Sequence, residues 1–453
     1  MKKNMICFGI IFMLLTTTVI GVNAAPEEEK SAYYTEYMYA DIYVNGDAPP
    51  GGDGSQQHPY QEIMQAVNVA EEGNIILVLE GDYIEDIIIE KPLKLYGINN
   101  ELATIEGIIQ IKNTDSVKLD GFSINAQPNV KFVSIVNSND CIIKNNIFHG
   151  EGDLSHKDYG LYIKNSRYIT ISDNIILGFY YGIYLYESVN NEIIDNHIDG
   201  QQYFYYDNRA AYNIHLRESH GNTVSNNLLE NIRDGAYFEK SNYNTFSNNE
   251  INDVHGNGIA IGTPLAVLEE NYANNNKVIE NTFTNADCGI LLSWAKNNII
   301  NKNILTQGYF GIALCFANSN SITQNYLSNG GGDGIDLLLD AKNNEIIANE
   351  ISNYTLNGIY LLECRDNVFY YNNIFSNSTN PIYENIWGAP INQYYSQSLR
   401  KGNYWGDYDG VDADNDGIGD TPYKIDDHDI NPFNDRHDNF PLMEPVDIYS
   451  VEI

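Results

Sequence analysis

The stretch Asn344-Glu345-Ile346-Ile347-Ala348-Asn349-Glu350-Ile351 holds two asparagines five positions apart, each followed two positions later by an aliphatic residue. The same unit recurs as Asn244-Thr245-Phe246-Ser247-Asn248-Asn249-Glu250-Ile251 and as Asn320-Ser321-Ile322-Thr323-Gln324-Asn325-Tyr326-Leu327. Its second asparagine slot can be followed through Asn145, Asp173, Asn196, Asn227, Asn249, Asn281, Asn303, Asn325, Asn349 and Asn372. Successive slots lie 28, 23, 31, 22, 32, 22, 22, 24 and 23 residues apart, a basal period of 22 to 24 interrupted by three insertions. A second unit, G-I-x-L, falls within each period, as in Gly182-Ile183-Tyr184-Leu185 and Gly311-Ile312-Ala313-Leu314. Both units alternate apolar and variable positions, which is strand spacing and not helix spacing.

Short strands at a fixed period with no helical segment between them cannot build βαβ units. They predict an all-β solenoid, a right-handed parallel β-helix with three short strands per turn, each pairing with its counterpart one turn on. The asparagines fit this geometry in two ways. Asn tolerates the left-handed backbone region that a tight corner requires, and stacked amides can donate to one turn and accept from the next, forming a ladder inside the wall. Phe122 takes the asparagine slot in a leading turn. Ten slots at about 4.8 Å make a rod of roughly 45 Å.

Both ends of such a rod need covering. At the first, Pro59 is read as the start of a short helix with Ile63, Ala66, Val67 and Ala70 on one face, ahead of a strand over Ile75–Leu79. The expected domain plan is a signal peptide at 1–24 and an acidic linker at 25–40. The β-helix with its N-terminal helical cap follows at 41–385, then a C-terminal cap at 386–453. The leader reading rests on Lys2 and Lys3, the apolar run Ile6–Leu15 and the small residues ending at Ala24, and it predicts a secreted, periplasmic or cell-surface protein.

Charge narrows the possible partners. With 61 Asp+Glu against 25 Lys+Arg the chain carries -36, and -38 once Lys2 and Lys3 leave with the leader. A nucleic-acid partner is excluded by this balance, since phosphate binding needs clustered cations, and no segment after the leader is apolar enough to insert into a membrane. Cys141, Cys288, Cys315 and Cys364 show no metal or redox spacing and are read as buried or idle thiols.

Near the C-terminus, Asp412, Asp414, Asp416 and Asp420 surround Gly417 in a loop that offers several oxygens to one hard cation, so structural Ca²⁺ is expected there. Tyr423 stands where an EF-hand would place its bidentate Glu, and the affinity should suit extracellular Ca²⁺. The string Gly402-Asn403-Tyr404-Trp405-Gly406-Asp407-Tyr408, the Asp loop, Thr421-Pro422-Tyr423-Lys424-Ile425 and Asp438-Asn439-Phe440-Pro441-Leu442 resembles the C-terminal signature of the NosD-like β-helix proteins. The repeats are similar to CASH-type turns, and the resemblance spans roughly residues 75 to 443. It implies a right-handed β-helix outside the cytoplasm. Founding members are periplasmic accessory proteins for copper-site assembly in nitrous oxide reductase, and many relatives are surface proteins without an assigned activity. Copper is therefore an implied ligand, although Met64, Met443 and the cysteines are scattered in the sequence.

Alternation sends both x positions of G-I-x-L-x away from the core. Over successive turns these are Tyr162 and Lys164, Tyr184 and Tyr186, His215 and Arg217, Tyr237 and Glu239, and then Ala260 and Gly262, Leu291 and Ser293, and Ala313 and Cys315, so one half of the face is aromatic and charged and the other small. Rings along a groove stack on sugar faces while Arg or Lys holds hydroxyl or carboxylate groups. An extracellular polysaccharide is the expected partner, bound by Tyr162, Lys164, Tyr184 and Tyr186 with Asp207 and Arg209 of an insertion as a wall. A lyase or epimerase would draw on His215, Arg217, Tyr237 and Glu239 for the base and the carboxylate-neutralising cation. A glycoside hydrolase would need two carboxylates, with Glu187, Glu218 and Glu239 nearby. A copper-enzyme accessory or a structural envelope protein is the third alternative.

Overall fold

The computed structural model describes residues 39–125, 131–150, 158–201, 211–263, 273–375, 380–385, 392–425 and 436–453. The leader, residues 25–38 of the linker, Asp207 and Arg209 lie outside the described residues. From Asp41 onward the chain winds into a right-handed parallel β-solenoid. One turn runs through the strands Glu192–Ile194, His197–Asp199 and Tyr212–Arg217, and the next through Thr223–Ser225, Leu228–Glu230 and Asp234–Glu239. Each strand pairs in parallel with its successor. One face is a sheet of 14 strands. The other two faces join where Glu250–Gly262 and Thr282–Ser293 continue around the corner between them.

Period-two alternation delivers one aliphatic or aromatic side chain from each three-residue strand to the interior, and two from each G-I-x-L strand, such as Ile183 and Leu185. On the 14-stranded face these are Leu119, Ile143, Ile171, Ile193, Val224, Phe246 and so on to Phe369, in direct register and fully buried. The glycine of G-I-x-L is needed where coils approach closely: a Cβ on Gly182 would stand 2.6 Å from the Asn213 carbonyl oxygen of the next turn.

The asparagine ladder runs through Asn146, Asn174, Asn196, Asn227, Asn249, Asn281, Asn303, Asn325, Asn349, Asn372 and Asn403. Each backbone N–H and each Nδ2 donates to the Oδ1 of the following turn, for example Asn227 to Asn249 at 2.9 Å for both bonds. Two expected members are displaced by one residue, since Asn146 and Asn174, not Asn145 and Asp173, enter the ladder. The left-handed residue is the one before the ladder asparagine. Asn145 (φ 53) and Asp173 (φ 56) occupy that place, as do Glu280 (φ 59), Lys302 (φ 56), Ala348 (φ 54) and Tyr371 (φ 59) in other turns. The ladder asparagines are thus selected by hydrogen bonding, and the strained corner accepts many residue types. Phe122 heads the column, its N–H donating to Asn146 Oδ1 at 3.0 Å.

A second amide ladder climbs the neighbouring corner through Asn191, Asn222, Asn244, Asn276, Asn298, Asn320, Asn344, Asn367 and Asn392. Serine hydroxyls form a third column through Ser138, Ser166, Ser188, Ser219 and Ser241. Both amide ladders end on a buried carboxylate. Asp438 accepts from the Asn403 N–H at 2.7 Å and from Trp405 Nε1 at 3.0 Å. Glu384 accepts from Asn392 at 3.0 Å and pairs with buried Arg436 at 2.5 Å.

The short helix covers Ile63–Val69 and buries Ile63, Ala66 and Val67. It begins later than Pro59 because Tyr60 is drawn into extended pairing beside Val44, its N–H donating to the Tyr43 carbonyl. The Glu85 carboxylate then accepts the N–H groups of Ile63 and Met64 at 2.6 and 2.9 Å.

Candidate functional site

Strands Tyr159–Lys164, Tyr181–Tyr186, Tyr212–Arg217 and Asp234–Glu239 lie in register, so their outward side chains form three columns. The first is Tyr159, Tyr181, Tyr212 and Asp234. The second is Tyr162, Tyr184, His215 and Tyr237, and the third Lys164, Tyr186, Arg217 and Glu239. The expected residues of the second and third columns are brought together. The first column, equally aromatic, was missed because it precedes the glycine of the repeat and lies outside the unit used to assign faces.

Exposure differs from expectation. Tyr162, Tyr184, His215 and Tyr237 do leave the core, yet they are only 5 to 9% exposed. The rings cover one another: Tyr159 stacks on Tyr181 at 4.8 Å, Tyr162 on Tyr184 at 5.7 Å, Tyr212 on Tyr237 at 5.2 Å and His215 on Tyr237 at 5.0 Å. Parallel coils about 4.8 Å apart hold flat rings near stacking distance, so their faces are spent within the wall. Tyr186 is the exception, with Lys164 at 5.2 Å and Arg217 at 5.6 Å from its ring centre.

The polar groups are equally ordered. His215 Nε2 lies 3.1 Å from Glu239 Oε2, while its buried Nδ1 has no hydrogen-bond partner. Burial lowers the imidazole pKa in spite of the hydrogen bond to Glu239, leaving a neutral ring that donates to a carboxylate. Burial works to raise Glu239, but the His215 hydrogen bond and the Arg217 charge prevail and hold it ionised. Arg217 Nε is 3.7 Å from Glu239, and the guanidinium charge opposes the burial that pushes the Tyr184 hydroxyl up to about 12. Arg217 keeps 43% side-chain exposure and is the most accessible charge in this group.

Further along the second column stand Ala260, Leu291 and Ala313, then Asp336 and Tyr360. Asp336 carries a buried Oδ1 without a partner, and burial with the nearby charge of Asp333 pushes its pKa to about 8. Sequence reading stopped at the small residues and missed it, although it occupies the same repeat position.

In the terminal loop, carboxylate oxygens of Asp412, Asp414 and Asp416 lie within 4.8 Å of one another. Asp420 is turned instead to the loop backbone, accepting the Ala413 N–H at 2.8 Å. An open cleft of about 480 Å³ lies beside this loop, lined by Asp407, Tyr408, Asp409, Tyr423 and Lys424 among others.

Residues 268–410 match the family model described as periplasmic copper-binding protein (NosD), and residues 131–277 match that of the right-handed β-helix region. The chain is a NosD-like parallel β-helix repeat protein. No curated protein sequence gives a significant match. Among solved structures, the NosD-like rod is similar to the A-module of the mannuronan C-5 epimerase AlgE4 of Azotobacter vinelandii. Identity there is 15% and the TM-score 0.55, over 78% of this chain and all of that one, 100%. It is similar as well to the catalytic unit of the thermostable α-1,3-glucanase of Streptomyces thermodiastaticus, at 14% identity and TM-score 0.55, over 80% and 72% of the two chains. At these identities the likeness establishes the pectin-lyase-like fold.

The thiols of this NosD-like chain do not suit the copper named in the family description. Cys141, Cys315 and Cys364 are buried on different turns, and burial raises their pKa values to about 11, 11 and 12. Among the described residues no cysteine joins a group of metal-capable side chains. Protonated, separated thiols do not fit a soft Cu(I) site.

Proposed function

We propose that the outward face between Tyr159 and Glu239 binds an extracellular polysaccharide. The observation that carries this reading is the accessible Arg217 guanidinium, 3.7 Å from Glu239 and 5.6 Å from the Tyr186 ring centre, at the edge of a hydroxyl-rich ledge. Because the stacked rings offer edges and hydroxyls, recognition runs through hydrogen bonds and the two cations, Lys164 and Arg217, with Tyr186 supplying ring contact. The relatives in fold that act on mannuronan and α-1,3-glucan lend support. Asp207 and Arg209 belong to the same proposal as a wall of the binding face. Affinity electrophoresis in gels containing alginate, polygalacturonate or neutral glucans tests it. Retardation by at least one polymer, reduced about tenfold in affinity by Arg217→Ala at unchanged melting temperature, is expected; unretarded migration in all of them overturns the reading.

A second reading, uronic-acid chemistry, draws on the neutral His215 beside the Arg217 cation, with Tyr237 and Glu239 completing the set. Its base would be His215 Nδ1, which the ring stack seals, so catalysis requires that stack to open. Growth of unsaturated-uronate absorbance on incubation with alginate, abolished by His215→Ala, would favour this reading over simple binding.

For the terminal loop we propose structural Ca²⁺ held by Asp412, Asp414 and Asp416, with Asp420 bracing the loop. The three convergent carboxylates support it. Chelation should lower the melting temperature of the wild type and leave Asp414→Ala/Asp416→Ala unaffected; equal melting with and without chelator removes the ion from the account.

A further inference from the structure

We propose that His197, Asp199 and Glu230 form a binding site for a divalent first-row transition ion, with Zn²⁺ well matched to the donor set. The site lies on a different face of the rod from the polysaccharide ledge and does not depend on that reading. His197 and Asp199 alternate on the strand His197–Asp199 and therefore point to the same side. On the next turn, Leu228–Glu230 sets Leu228 opposite His197 and Glu230 directly opposite Asp199. One donor atom from each of the three residues lies within 4.8 Å of the others. His197 Nε2 and Glu230 Oε1 are already 2.8 Å apart.

Three features make this more than a surface ion pair. Two carboxylates facing each other across neighbouring strands repel, and a cation between them removes that cost. The Asp199 carboxylate is oriented from outside the cluster, its Oδ1 accepting from Asn231 Nδ2 at 3.1 Å and from the Gln201 N–H at 2.6 Å. Such supporting hydrogen bonds aim a ligand and leave its other oxygen for the ion. The donors are framed by aliphatic side chains: Ile175 pairs with His197 and Leu177 with Asp199 on the preceding turn, and Leu228 follows. All three donors are partly buried, a setting in which a metal bond competes well with hydration while the ion can still enter. One imidazole with two carboxylates is a borderline-to-hard set that suits Zn²⁺, whose structural and catalytic sites use these ligands.

The test is calorimetric titration of the full chain with ZnCl₂ after chelator treatment and dialysis, together with Co²⁺ as a spectroscopic substitute. Expected are a Zn²⁺ site and a Co²⁺ visible band that both depend on the triad. Glu230→Gln, which keeps shape and hydrogen-bonding capacity, should weaken Zn²⁺ by at least about tenfold, and His197→Ala should abolish the Co²⁺ band. Asp414→Ala/Asp416→Ala should leave both signals intact. Zn²⁺ uptake that persists unchanged in Glu230→Gln and His197→Ala overturns the proposal, as does absence of uptake by folded wild type. A variant whose melting temperature falls sharply is replaced by Asp199→Asn, for which the same outcomes apply.

Discussion

Two columns of side chains climb this rod, one of asparagines inside a corner and one of aromatic rings on an outer face, and they obey different rules. From Asn146 to Asn403 the inner column keeps one residue type, because each member must accept two hydrogen bonds through Oδ1 and donate through Nδ2 in a site closed to water. The outer column is held to no single residue type. It runs Tyr162, Tyr184, His215, Tyr237 and then changes to Ala260 without disturbing the register. Hydrogen-bond geometry therefore constrains the fold, while the outer face is free to vary.

Breaking the inner column should have the largest effect. Asn249→Ala leaves the Asn227 N–H and the Val224 carbonyl of a buried corner without their partners, and a loss of about 3 to 5 kcal/mol is expected in urea unfolding. A loss below about 1 kcal/mol would mean that water fills the gap and the two columns differ little. Next is the end of the same ladder. Asp438→Ala removes the acceptor of Asn403, Trp405 and Phe440 and should cost about 3 kcal/mol.

The same aspartate predicts a pH dependence. Burial raises its pKa to about 6 against the backbone and indole hydrogen bonds that lower it. The folded chain thus holds a proton that the unfolded chain has released. The contribution of Asp438 to stability is fullest below about pH 4, declines as pH rises, and is lost by about pH 6. The difference in unfolding free energy between wild type and Asp438→Asn, measured at pH 4.5 and 7, should narrow or change sign accordingly.

Smaller effects sharpen the contrast. Tyr184→Phe keeps the outer stack and removes one hydroxyl from the ledge near Arg217, so stability should change by about 1 kcal/mol or less while polysaccharide affinity falls. Equal affinity would detach the Tyr184 hydroxyl from binding. Lys302→Gly replaces a non-glycine residue at φ 56 and should raise stability by up to about 1 kcal/mol. A clear loss there would show that the corner before the ladder asparagine is more demanding than its variety of residues indicates.

The fold was legible because its signals are local and repeated. Slots such as Asn227, Asn249, Asn303 and Asn325 announce the coil, and Gly182 with Ile183 and Leu185 announces the strand that faces inward. The one-residue displacement at Asn145 and Asp173 arose because adjacent polar residues, Asn145-Asn146 and Asp173-Asn174, satisfy the same pattern. Only the direction of the amide separates them. The outward assignment of Tyr184 and His215 was likewise readable, whereas their burial was not, since it depends on what stands in the neighbouring coils.

Sequence by itself determined the winding, the period and the apolar interior, because alternation and spacing act between residues close along the chain. Tertiary structure alone decided which polar groups meet. The opposition of Asp199 to Glu230, the pairing of His215 with Glu239 and the endings of the ladders at Asp438 and Glu384 join residues 8 to 35 positions apart, through loops whose lengths vary from turn to turn. Register across coils is set by the whole stack of hydrogen bonds, and a single turn's residues do not contain it.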